Sequence, residues 1–366
     1  MTDAAGALLA HEEIETSLEG ARAFRVRYAS RDVNGVGTES TGLVITPAAA
    51  GSDRPVLTWT HGTTGIGDAA CPSAQPDPAR ELITYFDVHG SAIDYGVPHV
   101  QAFVDDGWVV CATDYQGLGT PGVHQYSVNI TNGRDGLHIV HAARSLGLGM
   151  GMAVAGAGWS QGGAAIAALT ELDAEEYGDL AVFAAVAFSP GVTGAALQSG
   201  SAATMAASDA PIDSHGFMLI AGLAAAYPDT LALDDLLTPL GVRIAETTYD
   251  ELTVHHLNDV LARTFHHEGP ILRADPRNLD AWKDAILHST AGQRRPVCPI
   301  LVCEDLANPE GRFPCPLPWQ DAYAAGVKER GGEVEVRRYP DDDHFSLCRT
   351  AMPDAKSWLE SKRPRG

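Results

Sequence analysis

Met152-Ala153-Val154-Ala155-Gly156, then Ala157-Gly158-Trp159-Ser160-Gln161-Gly162, then Gly163-Ala164-Ala165-Ile166-Ala167-Ala168-Leu169: the architecture can be read from this stretch. Its first part is short, apolar and partly β-branched, which predicts a buried strand over 152–156. The last part, rich in alanine, predicts a helix from Gly163 to Leu172. Between them stands Gly-x-Ser-x-Gly. A serine on a sharp strand-to-helix turn needs small neighbours, because the turn is strained and other backbone passes close by. A hydroxyl becomes a useful nucleophile only when a base takes its proton, so Ser160 is the candidate nucleophile of an acyl-transfer reaction.

The same alternation continues on both sides of this point. Val56-Leu57-Thr58-Trp59 and Trp108-Val109-Val110-Cys111-Ala112-Thr113 predict buried strands, each followed by a Gly-rich loop. Val182 to Phe188, Pro299 to Cys303 and Val334 to Tyr339 predict three more. Helices are expected over Val97 to Asp105, from a cap at Asn132 to Leu146, over Trp319 to Arg330 and over Pro353 to Ser361. Ahead of them, Ala21 to Pro47 alternates as an antiparallel hairpin turning at Asn34-Gly35. Buried strands alternating with helices imply an α/β fold with a mainly parallel sheet covered on both faces. Residues 191–292 break this rhythm with Ala- and Leu-rich stretches and no convincing strand. They divide the core into 1–190 and 293–366 and read as a helical insertion, a lid or cap.

The base belongs far downstream, after the last strand. His344, in Asp341-Asp342-Asp343-His344, fits that place. The acid that orients the imidazole belongs in the loop after Pro299 to Cys303. Asn308 occupies a usual acid position there, and an amide cannot stabilise an imidazolium. Glu310, four residues before the Phe313-Pro314 corner, ranks first among the carboxylates, and Asp305 second. Donors for the developing oxyanion are expected from the backbone N–H of Gln161, at the helix start, and of Thr63, in His61-Gly62-Thr63-Thr64-Gly65. His255-His256 and His266-His267 are poor metal sites, since adjacent helical side chains point apart. The chemistry calls for neither metal nor cofactor.

Trp59-Thr60-His61-Gly62-Thr63-Thr64-Gly65, Asp68, Cys71-Pro72-Ser73, Asp114-Tyr115-Gln116-Gly117-Leu118-Gly119 and the Ser160 pentapeptide together resemble the secretory lipases, a fungal lipase A-like group of α/β-hydrolases. The likeness spans Ala23 to the final helix. It implies an α/β-hydrolase core with a helical lid before the acid strand. It also implies carboxylesterase or lipase activity on small-molecule or lipid esters, with Ser160 and His344 carried over by motif and Thr63 by its place in the loop. Acyl transfer, amide hydrolysis, or a catalytically silent ligand-binding protein on the same scaffold are the alternatives.

Bulk composition narrows the field further. The 366 residues carry 47 acidic against 25 basic side chains, a net charge of −22, which repels nucleic-acid phosphates and anionic lipid heads. No stretch suggests membrane insertion. Residues 1–20 lack a basic start and an unbroken apolar core, from which a cytoplasmic location is expected. Of the six cysteines, Cys111 and Cys303 are expected as buried thiols, while Cys315 and Cys348 would be open to bridging in an oxidising compartment.

Overall fold

The protein is seen in a computed structural model that describes residues 4–87, 91–198, 210–248, 251–307 and 315–364. Nine strands form one sheet: β1 (Leu8–Ile14), β2 (Ala21–Arg31), β3 (Gly37–Pro47), β4 (Arg54–Thr60), β5 (Val109–Thr113), β6 (Met150–Trp159), β7 (Ala181–Phe188), β8 (Ile300–Asp305) and β9 (Val334–Tyr339). Their order across the sheet is β1-β2-β3-β5-β4-β6-β7-β8-β9. The β1–β2–β3–β5 contacts are antiparallel and the rest are parallel. From β4 the chain moves to β5 on one side and then returns to β6 on the other. Such a reversal leaves a crevice at the carboxyl ends of β4 and β6, where open α/β sheets bind ligands.

Twelve α-helices complete the described residues: α1 (Val100–Asp105), α2 (Asn129–Arg144), α3 (Gln161–Leu169), α4 (Ala174–Tyr177), α5 (Thr193–Gln198), α6 (Ser214–Ala226), α7 (Leu233–Leu236), α8 (Pro239–Thr248), α9 (Val254–Glu268), α10 (Leu279–Ser289), α11 (Leu317–Glu329) and α12 (Leu347–Lys362). Every residue of β4 is buried, as a central strand covered on both faces requires. On one face Leu137, Val140, Ile166, Leu169 and Val327 of α2, α3 and α11 pack against Val56, Val154 and Val302. On the other, Val100 and Phe103 of α1 and Leu347, Met352 and Leu359 of α12 pack against Leu57, Trp59, Val186 and Leu301. A third apolar cluster joins α6 to α10 through Phe217, Leu223, Leu257, Leu261 and Trp282. Helices α5 to α10 thus occupy the described part of 191–292; α6 to α10 have a core largely of their own, while Ala195 of α5 packs into the sheet core. Residues 199–209 and 249–250 within it lie outside the described residues.

Several expected boundaries shift. Asn132 is not a cap: α2 begins at Asn129, and the Asn132 side chain instead donates to the Gln125 carbonyl (3.3 Å) and accepts from Gln161 Nε2 (3.2 Å). Helix α12 starts at Leu347 and runs through Pro353, because six preceding residues already form its first turns. Strand β8 reaches Asp305, two residues past its expected end. Cys315 and Cys348 are not bridged: all six thiols are free and buried, with Cys348 packed in the sheet–α12 core.

Candidate active site

Strand register assembles the site. Thr60 pairs with Gly158, Trp159 with Phe188, and Phe188 with Cys303. The ends of β4, β6, β7 and β8 therefore lie side by side. The residues just beyond them, His61 to Thr63, Ser160, Ser189 and the close of β8 at Asp305, share one rim.

Ser160 has φ 60° and ψ −117°, a conformation that side-chain-bearing residues seldom adopt, directly before α3. The flanking glycines are required by space. A Cβ on Gly162 would stand 1.9 Å from the Thr60 carbonyl oxygen. One on Gly158 would stand 2.1 Å from Thr60 Oγ1 and 2.2 Å from the Gly162 carbonyl oxygen. The Ser160 hydroxyl is buried, 3.8 Å from Cys315 Sγ, and burial pushes that thiol up to about 12.

The Gln161 side chain is locked by His124. His124 Nδ1 donates to the Gln116 carbonyl (2.8 Å), which leaves Nε2 to accept from Gln161 Nε2 (2.8 Å). Only a neutral ring can do both, and burial holds His124 down to about 3. The backbone N–H of Gln161 lies in the first turn of α3, where amides have no helical acceptor. Thr63 follows β4, its hydroxyl 2.9 Å from the Tyr126 hydroxyl. Its loop is braced by the 114–119 segment: Tyr115 donates its phenol proton to the His61 carbonyl (2.8 Å) and stacks at a tilt on the His61 ring.

His344 is buried between β9 and α12. Trp159 Nε1 donates to its carbonyl (2.9 Å), and Ser189 Oγ lies 2.9 Å from its Nδ1. Burial, with added repulsion from His215, lowers the imidazole to about 3. Asp305 is buried too; burial raises its carboxyl from the ordinary value, and the nearby Ser189 hydroxyl and Gln320 amide draw it back. Gln320 of α11 donates through Nε2 to the Cys315 carbonyl (2.8 Å), Asp305 Oδ1 (3.2 Å) and Ser189 Oγ (3.2 Å). Glu310 and Asn308, the other residues considered for the acid, lie outside the described residues. Ser189 was passed over in the sequence, where Phe188-Ser189-Pro190 is an ordinary strand end.

Two cavities meet at Ser160. One, of about 70 Å³, is mostly apolar, lined by Tyr126, Ala196, Leu197, Leu219, Ile286 and Trp319. The other, of about 370 Å³, is mixed in character, bordered by Thr63, Asp94, His215 and His344 and by Phe86 and Phe345. His215 borders both, its Nδ1 held 2.9 Å from Asp213 Oδ1 at the start of α6.

The nine-stranded, mostly parallel sheet with its Ser160 turn and carboxyl-end crevice is that of an α/β-hydrolase. Residues 84–364 match the family described as secretory lipase, and the chain belongs to that family. It is a carboxylic ester hydrolase. Among solved structures, the rice cell wall degrading esterase LipA from Xanthomonas oryzae superposes with a TM-score of 0.71 at 18% identity, covering 98% of this chain and 97% of that one. Candida antarctica lipase A gives 0.66 at 16%, covering 100% and 84%. A putative hydrolase from Legionella pneumophila gives 0.70 at 15%, covering 97% of each. No curated protein matches the sequence. The expected cytoplasmic location is corrected by the family: secretory lipases point to secretion. Among the described residues no helix is long and apolar enough to cross a membrane.

Proposed function

We propose that ester cleavage proceeds through an acyl-enzyme on Ser160. His344 takes the hydroxyl proton as Ser160 attacks the ester carbonyl, then gives it to the departing alcohol; a water activated by the same ring releases the acid. The backbone N–H groups of Gln161 and Thr63 hold the tetrahedral oxyanion. Asp305 supplies the negative charge that steadies the imidazolium, a role its burial beside Ser189 supports. The carrying observation is convergence: the strained Ser160, His344 and Thr63 border one cavity at the reversal point of the sheet.

The small apolar cavity takes the acyl group, which favours short chains, and α5 to α10 cover the site as a lid. A series of p-nitrophenyl esters tests this. Butyrate should be turned over faster than laurate, and Ser160→Ala and His344→Gln should each lose on the order of 10³-fold or more in kcat. A fluorophosphonate probe should label wild type and not Ser160→Ala. Turnover persisting in Ser160→Ala would overturn the mechanism.

A further inference from the structure

Ser160 precedes α3 without a side-chain hydrogen bond to the amides of the helix's first turn. One of those amides is that of Gln161, a proposed oxyanion donor; the other donor, Thr63, comes from the loop after β4. An oxyanion hole works only while its donors stay fixed relative to each other before the reaction. These two belong to separate segments of chain, so their spacing depends on what joins the segments.

His124 joins them, and its ring is fully buried. Toward α3, Gln161 Nε2 gives one proton to His124 Nε2 (2.8 Å) and the other to Asn132 Oδ1 (3.2 Å). Asn132 Nδ2 donates to the Gln125 carbonyl (3.3 Å), which turns its oxygen to Gln161 and fixes which way both amides point. Toward the loop, the backbone N–H of His124 donates to the Ile66 carbonyl (3.3 Å), and the ring stacks on Tyr115 with centroids 5.5 Å apart. Tyr115 in turn donates to the His61 carbonyl, two residues before Thr63. On its other side the ring meets Tyr126 edge-on at 6.2 Å, and the Tyr126 hydroxyl lies 2.9 Å from Thr63 Oγ1. The place calls for a donor at Nδ1, facing the Gln116 carbonyl, and an acceptor at Nε2. Of the standard side chains, neutral imidazole alone carries both on one rigid ring.

We infer that His124 is a positioning residue of the oxyanion hole: through the Gln161 side chain it fastens the first turn of α3 to the loop that carries Thr63. It borders neither cavity at Ser160, so it acts through Gln161 and not on substrate. The inference rests on the Ser160 mechanism above and deepens it.

Its test pairs p-nitrophenyl butyrate turnover with inhibition by 1-butaneboronic acid, whose serine adduct imitates the tetrahedral oxyanion. His124→Phe keeps a ring on Tyr115 and removes the acceptor, while His124→Gln keeps an acceptor for Gln161. Gln161→Ala removes the side chain and keeps the backbone N–H. His124→Phe and Gln161→Ala should each lose on the order of 10–10²-fold in kcat with KM within about threefold, and boronate affinity should fall by the same factor. His124→Gln should stand within about fivefold of wild type in both measurements. The double variant of His124→Phe and Gln161→Ala should lie within about threefold of either single one, because both cut the same bond. If folded Gln161→Ala keeps kcat within about twofold of wild type, or if kcat falls while boronate affinity holds, the tie is wrong. Gln161→Ala decides this even where His124→Phe does not fold. The parent mechanism fails separately, through activity remaining in Ser160→Ala.

Discussion

At Ser160 the backbone is held in a conformation that few side-chain-bearing residues adopt. A φ of 60° there is held because Gly158 and Gly162 let β4 and α3 close to within contact of the turn. Gly162→Ala would force a methyl onto the Thr60 carbonyl at 1.9 Å, and no flexible side chain is available to give way. We expect that variant to lose about 2–4 kcal/mol of stability in urea unfolding and to label slowly with a fluorophosphonate. Unchanged unfolding would mean that the turn is looser than these contacts require. The glycines and Ser160 were legible as a pattern, because the pattern is local. The place of Ser189 on this rim was not, because it comes from register: the pairing of Trp159 with Phe188 and of Phe188 with Cys303 sets it beside the ends of the neighbouring strands. Asp305 ranks second in the sequence because the spacing of Glu310 to the Phe313-Pro314 corner favours Glu310, and the burial of Asp305 at the end of β8 is not visible there.

Among the elements, the long buried strands were read correctly, since apolar runs bounded by loops leave little choice. Strand β1 was missed. Its residues Ala10 to Glu13 are exposed, and an edge strand carrying His11-Glu12-Glu13 has no apolar face to announce it. How α10 returns to the sheet was equally hidden. The Glu171 carboxylate, just past α3, accepts the N–H groups of Gly292 (2.9 Å), Gln293 (3.0 Å) and Arg294 (3.0 Å). One buried side chain therefore anchors the segment where the helical stretch rejoins the core. Burial raises that carboxyl while the three amides pull it back. Glu171→Ala would leave those amides without their acceptor, at a cost of about 2–4 kcal/mol. Urea unfolding checks the loss; limited proteolysis should show cleavage near residues 290–296 appearing first. A change below about 0.5 kcal/mol would mean that water replaces the carboxylate without difficulty.

Over the whole molecule, sequence alone reached the α/β-hydrolase fold and the ester-hydrolase class. It went astray on location, where the secretory family overrides a judgement made from the first twenty residues. The thiols were half legible. Cys111 and Cys303 lie in apolar strands and are buried, whereas the expectation for Cys315 and Cys348 depended on distances no sequence carries. All six sulfhydryls are enclosed, and burial raises each of their pKa values. That arrangement supplies the protein with an internal clock. A disulfide reagent such as Ellman's, added at neutral pH, can register five of these sulfurs only at the pace with which the native chain opens. Cys315, facing the cavity at Ser160, should report earlier and alone, and a bound short-chain ester analogue should delay it. Two separate phases, one slowed by ligand and one by stabilising solutes, would time the breathing of the pocket apart from the unfolding of the sheet. A single burst of six would show that the enclosure is not closed on the reagent's timescale.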